Sequence, residues 1–415
     1  TVNAGLFSSR SVKIDGEYPF EEAQTLSLKK LYKNKNDKKT YDNRGNEILP
    51  EKVQFSRLMS DYVRSWLGDM NEPYYFDLSA GQHTVSLVSS KEGLAICGIT
   101  LCVPEDVPSY KEYSASVKAK SNADYKQYIQ AEDTIYTTSS MMVPKNDRTS
   151  PLTVPSDAYN VLYNTFGGSS WSKAGEYAVW DFTVPEDGTY KIGIKFRQNN
   201  STAILPVRKF YIDDKVLFDE MGEVAFPYSR QWQYMTLSAG GEEAMVFLEA
   251  GDHTLKIESV LGSFSEYFEQ IDDIVYELNA AYRSIIMITG ASPDVYRDYQ
   301  LGIKIPDVIE TLDKKSAELE KIIKALDSRE IGNSEMVELA TIRDQMKEFV
   351  DDPDTIPERL ESFKTNIGAL SDWCVSAKSQ SVEYDYFVIC GEDVKPDRVK
   401  ANIFEKIALE FKSLI

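Results

Sequence analysis

Two phrases of the chain, Ser79–Leu87 (SAGQHTVSL) and Glu249–Ile257 (EAGDHTLKI), share one pattern and contain its only two histidines. An internal repeat constrains a fold more than any composition does, because one supersecondary unit must be built twice. In each phrase a glycine makes the turn and His-Thr follows. Val85 and Leu87, or Leu255 and Ile257, then alternate with polar residues, the signature of a turn entering a half-buried strand. Imidazole titrates and ligates near neutral pH, so a histidine pair raises catalysis and metal binding. A histidine opening a strand also bonds across its hairpin, and this structural reading is the one adopted.

The repeat extends further. Ser9–Ala23 (SRSVKIDGEYPFEEA) matches Val207–Met221 (VRKFYIDDKVLFDEM): an alternating strand, a turn at Asp15-Gly16 or Asp213-Asp214, then Phe and an acidic residue. Between its shared phrases the first copy carries a charged insertion, Lys33–Lys52, which reads as a solvated loop. In the second copy a long stretch beginning near Tyr128 precedes the IDD turn, whereas the first has little ahead of IDG. The first sandwich is therefore expected to be incomplete and the sequence to be an excerpt of a longer polypeptide.

Four segments follow: a partial β-sandwich over 1–113, a polar linker over 114–124, a full antiparallel β-sandwich over 125–279, and a mainly helical region with one strand over 280–415. Short alternating strands such as Tyr177–Val184, separated by turn signals like Pro-Glu-Asp-Gly, argue for the sandwich. Trp180 is assigned to its core. From Ala280 the period changes to that of helices. Val308, Leu312, Leu319, Ile322, Ile323 and Leu326 form one stripe behind Pro306. Leu360, Phe363, Ile367, Leu370 and Trp373 form another, so a helical bundle is expected. The strand at VEYDYFVIC is left to pair elsewhere, and the last segment, with Ile403, Phe404, Ile407, Phe411 and Ile415 on one side, reads as an amphipathic helix.

Composition excludes some functions. A formal charge of −20 argues against nucleic acid as a partner, since phosphate contacts need a basic face, though neutral glycans remain admissible. Cys97 and Cys102 would face opposite sides of one strand and cannot pair. They, Cys374 and Cys390 read as buried thiols. Glycoside hydrolysis needs two facing carboxylates, and with 66 acidic residues such pairs arise by chance. No Ser-His-Asp arrangement or phosphate-cradling glycine loop is present, so the chain is read as non-enzymic. The Gly290–Tyr299 stretch (GASPDVYRDY) is read as tying a domain junction together.

The opening YIQAEDTIY, the middle WDFTVPEDGTYKI and the closing FEQIDDIVYEL resemble the galactose-binding-like jelly roll of carbohydrate-binding module families 6 and 35. The order of YNTFGGSSW, KFRQN, RKFYIDD, FPYSRQWQYMTL, AGDHTL and SVEYDYFVIC resembles the amino-terminal part of large extracellular solute-binding proteins of carbohydrate ABC transporters in Gram-positive bacteria. That resemblance implies a cell-surface lipoprotein held by a lipid anchor, a saccharide ligand, and a permease or solute-binding domain as partner. The modules commonly hold a structural calcium between opening acidic residues and a closing Asp. Carried over, the ligands are Gln130, Glu132 and Asp272, which would staple the first strand to the last.

Sugars present apolar C–H faces and hydroxyl rims, so they are bound by aromatic platforms and planar polar groups on loops. Trp171, after a Gly-Gly turn, is the first candidate platform. Arg197, Gln198, Asn199 and Asn200, with Tyr228 and Trp232, complete the candidate site. Trp232 fits core and loop equally, and Arg197 fits a loop anchor as well as a ligand. The function expected is non-catalytic carbohydrate binding within a sugar-uptake lipoprotein. The alternative is an assembly scaffold without a sugar site, favoured if Trp171 and Trp232 are buried.

Overall fold

The computed structural model describes residues 7–65, 73–89, 94–103, 106–117, 124–200, 205–327 and 336–413. The chain forms two compact units. One comprises Thr1–Asn200, Pro206–Gly262 and Gln380–Ile415; the other comprises Ser201–Leu205 and Ser263–Ser379. The first is built of antiparallel sheets and the second of helices, so the helical unit is an insertion between two strands of the β unit.

The sandwich core lies between two sheets. One runs Pro144–Lys145, Thr165–Gly167, Glu383–Cys390, Gly188–Arg197 and Gln233–Thr236, with Lys126–Gln130 also on Glu383–Cys390 and Met245–Leu248 also on Gly188–Arg197. The other runs Val224–Ala225, Val207–Ile212, Gly251–Val260, Tyr177–Val184, Tyr136–Thr137, Leu31–Asn34 and Lys52–Phe55. Trp180, Phe166, Ile192, Ile194, Phe210, Leu255, Ile257, Phe387 and Ile389 are wholly buried between them. Each such side chain contributes about 1.5–3 kcal/mol by leaving water. Trp180 also satisfies its indole, donating Nε1–H to the Ala131 carbonyl at 3.0 Å.

Three expectations change. The strand that closes the sandwich against the opening Lys126–Gln130 is Glu383–Cys390, with Tyr386 opposite Gln130 and Val388 opposite Tyr128. FEQIDDIVYEL is instead part of a helix, Ser265–Thr289. Its buried residues, Phe268, Ile271, Ile274, Leu278, Ala281 and Ile285, recur every three or four positions, which buries one helical stripe and suits no strand. The charged insertion is not a free loop. Its flanks, Leu31–Asn34 and Lys52–Phe55, pair with each other, and Tyr32 pairs with Thr137 to extend the second sheet.

The exit from the first copy also packs on the sandwich. Ser109 caps the short helix Tyr110–Ser116 in a capping box with Glu112. The hydroxyls of Tyr110 and Tyr113 accept the backbone N–H groups of Met245 and Phe247 at 2.8 and 2.9 Å, covering the edge of that strand. Of the expected linker, residues 118–123 lie outside the described residues.

The duplicated hairpins are alike in atomic detail. Asp15 and Asp213 each sit at φ 52°, in the left-handed region that Asp tolerates. Each carboxylate accepts from the Thr N–H that follows the histidine, at 2.7 and 2.8 Å. Each also lies 2.7 Å from histidine Nδ1. Nε2 of His83 faces the Ser79 carbonyl at 2.8 Å, and that of His253 faces the Glu249 carbonyl at 2.7 Å. The histidines are hairpin latches, as the structural reading has it. Among the described residues of the first copy, Phe7–Ile14 joins Leu26–Lys29 and Val85–Ser89 in a sheet of three strands.

In the helical unit, Ser265–Thr289, Pro306–Asp327, Val337–Asp351 and Ile356–Ala377 pack pairwise. Leu312, Leu319, Ile322 and Leu326 of the first predicted stripe are buried, as are Leu360, Phe363, Ile367, Leu370 and Trp373 of the second. In the β unit the last helix, Ile403–Ser413, leaves Ile403, Phe404, Ile407 and Phe411 exposed; Ile415 lies outside the described residues. Cys374 and Cys390 are buried, whereas Cys97 and Cys102 are exposed, against expectation. Among the described residues no helix is long and apolar enough to cross a membrane.

Candidate functional site: the loop end of the sandwich

Strand Gly188–Arg197 points Lys195 and Arg197 to one face, since alternate residues share a side. Lys195 is buried and Arg197 half-buried, and both have assigned partners. Lys195 Nζ lies 2.6 Å from Asp385 Oδ2, also donates to the Leu152 carbonyl, and sits over the rings of Trp232 and Tyr386. Arg197 pairs with Asp147 at 3.0 Å and Glu383 at 2.6 Å, donates to Thr149 Oγ1, and stacks 4.8 Å from the Trp232 ring. Trp232 in turn donates Nε1–H to Asp147 Oδ2 at 3.1 Å. Burial pushes the Asp385 carboxyl up to about 6, with Lys195 opposing the shift.

This network ties the loop after Pro144–Lys145 to the sheet, so Arg197 acts as a loop anchor. Trp232 is only 3% exposed and is no platform. Trp171 is also corrected: its side chain is fully buried, with its ring 5.7 Å from Phe166 and 5.6 Å from Tyr384. The reason is the Gly-Gly turn itself. Gly167 and Gly168 adopt φ 101° and 61°, conformations open to glycine at little cost. The chain doubles back, Trp171 N–H reaches the Gly168 carbonyl at 3.1 Å, and the indole N–H donates to the Glu176 carbonyl inside.

Exposed polar side chains among the described residues at this end include Asn199, Asn200, Tyr228 and Arg230. Two adjoining loops carry them. Ser229 N–H bonds the Gln198 carbonyl at 2.7 Å, Asn200 N–H bonds Gln198 Oε1 at 2.9 Å, and Gln233 Nε2–H bonds the Pro227 carbonyl at 2.8 Å. Gln198 is buried as the tie between the loops. Arg230 Nε lies 3.3 Å from Tyr228 Oη, which aligns a guanidinium with a partly open ring. Carboxamides, a guanidinium and a phenol on neighbouring loops suit recognition of hydroxyl-rich ligands. Sequence reasoning omitted Arg230, although its spacing from Tyr228 was the available signal, and it omitted the acidic anchors Asp147, Glu383 and Asp385.

The residues carried over for calcium do not converge as expected. Asp272 belongs to helix Ser265–Thr289 of the helical unit, where it pairs with Lys378 and accepts from Cys374 Sγ at 3.4 Å. Gln130 and Glu132 remain together on the opening strand and its turn. Glu132 Oε1 faces Lys39 Nζ at 3.1 Å, so the site already contains a cation. Among the described residues no three His, Cys, Asp or Glu side chains are grouped to hold a metal. The set does not fit a resident calcium ion.

Comparison with known proteins bears chiefly on the helical unit. Residues 266–371 match the family model of the bacterial solute-binding protein, 4-helix bundle domain. No curated protein matches the chain. Similar solved structures include a family 35 carbohydrate binding module from Clostridium thermocellum, at 15% identity and TM-score 0.24, covering 33% of this chain and 87% of that one. Another is the CBM35 from Cellvibrio japonicus Abf62, at 14% identity and TM-score 0.20, covering 32% and 82%. A third is a cycloisomaltooligosaccharide glucanotransferase from Paenibacillus sp. complexed with cycloisomaltoheptaose, at 20% identity and TM-score 0.24. The match takes in 34% of this chain but spans only 18% of the glucanotransferase.

Proposed function

We propose that this chain is a non-catalytic carbohydrate-binding region of an extracellular solute-binding protein for sugar uptake. The observation that carries the reading is the match of residues 266–371 to the solute-binding four-helix bundle domain. That bundle is inserted into a sandwich whose loop end exposes Tyr228, Arg230, Asn199 and Asn200. In this reading the four side chains contact an oligo- or polysaccharide, and the buried ion network beneath keeps their loops in place. The parent protein is anchored to the cell surface by lipid and hands sugar to a solute domain or permease.

Titration calorimetry of the full chain against a panel of neutral oligosaccharides and uronic acids tests this. Saturable heat that falls at least tenfold in affinity in a Tyr228→Ala, Arg230→Ala double variant is expected. Absence of heat across the panel, or heat unchanged in the variant, contradicts it.

A second reading, a scaffold that engages protein partners without binding sugar, is favoured by one observation: both tryptophans suited to stack on a pyranose, Trp171 and Trp232, are buried. The same titrations separate the two, because a scaffold gives no saccharide heat.

A further inference from the structure

The turn that follows the opening strand presents oxygen atoms in want of positive charge. Gln130 Oε1 and Glu132 Oε2 are buried without a hydrogen-bond donor, and the Glu132 side chain is 1% exposed. A carboxylate in that position is costly unless a cation compensates it. The cation is supplied by the charged insertion. Lys39 Nζ lies 3.1 Å from Glu132 Oε1 and 3.3 Å from Asp133 Oδ1.

We propose that Lys39 is the built-in counter-ion of this turn, its ammonium standing where a divalent cation would otherwise bind and fastening the insertion to the sandwich.

The insertion is placed for the task by contacts on both sides of Lys39. Thr40–Tyr41 pairs with Glu47–Ile48 in a small hairpin. That hairpin is pinned to the sandwich loop: Glu47 N–H to the Val161 carbonyl at 2.8 Å, Val161 N–H to Asn46 Oδ1 at 2.9 Å, and Tyr163 N–H to Glu47 Oε2 at 2.8 Å. Lys52, at the far end of the insertion, donates to Thr134 Oγ1 at 3.3 Å and adds a second ammonium near the same turn. Burial works against both charges: it opposes the Lys39 ammonium, which Glu132 and Asp133 hold up, and it pushes the Glu132 carboxyl up to about 8, with Lys39 opposing the shift. Calcium takes six to eight oxygen ligands, and an ammonium already on Glu132 repels a divalent ion placed a few ångströms away. Lysine and metal are thus mutually exclusive occupants.

The test is thermal unfolding of the full chain in excess EDTA and in millimolar calcium, for the wild type, Lys39→Met, Glu132→Gln and the double variant. The wild-type Tm is expected to be the same in both solutions. Lys39→Met is expected to melt several degrees lower in EDTA and to regain part of that loss in calcium. The Lys39→Met loss should shrink by at least half in the Glu132→Gln background, because the partner is gone. A wild-type Tm that rises with calcium overturns the proposal, since metal and lysine would then coexist. A Lys39→Met protein indifferent to calcium overturns the substitution, and an undiminished loss in the double variant overturns the pairing.

Discussion

The hairpin latched by Asp15 and His83 and the one latched by Asp213 and His253 make the same bonds at nearly the same distances, yet they stand in different surroundings. Gly251–Val260 has neighbours on both sides, Val207–Ile212 and Tyr177–Val184, and its Leu255 and Ile257 are fully buried under a second sheet. Among the described residues Val85–Ser89 pairs with Phe7–Ile14 alone in its sheet, and Leu87 and Val88 are 36% and 44% exposed. Hydrogen bonds within a hairpin are set by the residues of the hairpin. Burial is set by what the rest of the chain lays over it, here the Tyr177–Val184 strand and, much later in the sequence, Glu383–Cys390.

Perturbing the two copies in parallel exposes that difference. The largest effect is expected at the ion network of the second copy: Arg197→Met strands Asp147 and Glu383 without their cation and should cost about 3–5 kcal/mol in urea unfolding. If the loss is below about 1 kcal/mol, the network is solvated and the loop end is not rigid. Next come equivalent core positions. Ile257→Ala should lose about 2–5 kcal/mol, while Leu87→Ala, at the matching position of the first copy, should lose about 1 kcal/mol or less because the site is half open. Equal losses would mean that the first copy has a covered core after all.

The smallest effect concerns protonation. Both ring nitrogens of each histidine face acceptors, so the imidazolium is the form that satisfies them. Hydrogen bonding to Asp15, then to the Ser79 carbonyl, raises His83. For His253 burial opposes the charge, but the Glu249 carbonyl and Asp213 outweigh it. A histidine raised in the folded state contributes stability that is complete below its unfolded value, about 6.5, and is lost as pH rises through the folded value. NMR titration should therefore find both histidines above 6.5. Asp15→Asn and Asp213→Asn should each lower only their own histidine. A shift of both by one substitution would show that the copies are not independent.

Much of this arrangement is visible in the residues. The hairpins, the Tyr177–Val184 strand and the helix Ile356–Ala377 carry their periods openly, and local bonding follows the pattern. Failures occur where distant contacts decide. Trp171 follows two glycines, which suggested a loop platform, but their positive φ values turn the indole inward. Asp272 suited a closing strand by its acidic neighbours, although Phe268, Ile271, Ile274 and Leu278 already had helical spacing. The insertion Lys33–Lys52 is polar enough to read as solvated, and its pairings, Leu31–Asn34 with Lys52–Phe55 and Thr40–Tyr41 with Glu47–Ile48, are what reveal it as sheet. For the loop end, Tyr228, Asn199 and Asn200 were legible as exposed polar candidates, whereas the partners that position them lie far away in sequence.

Hydrogen exchange of the full chain, with and without the saccharide giving the largest calorimetric heat, asks where a sugar sits. Slower exchange at residues 198–200 and 227–233, with none at the first-copy hairpin over 79–89, is the expected result. Protection absent from those loops, or equal at the two hairpins, would contradict sugar recognition at the loop end of the complete sandwich.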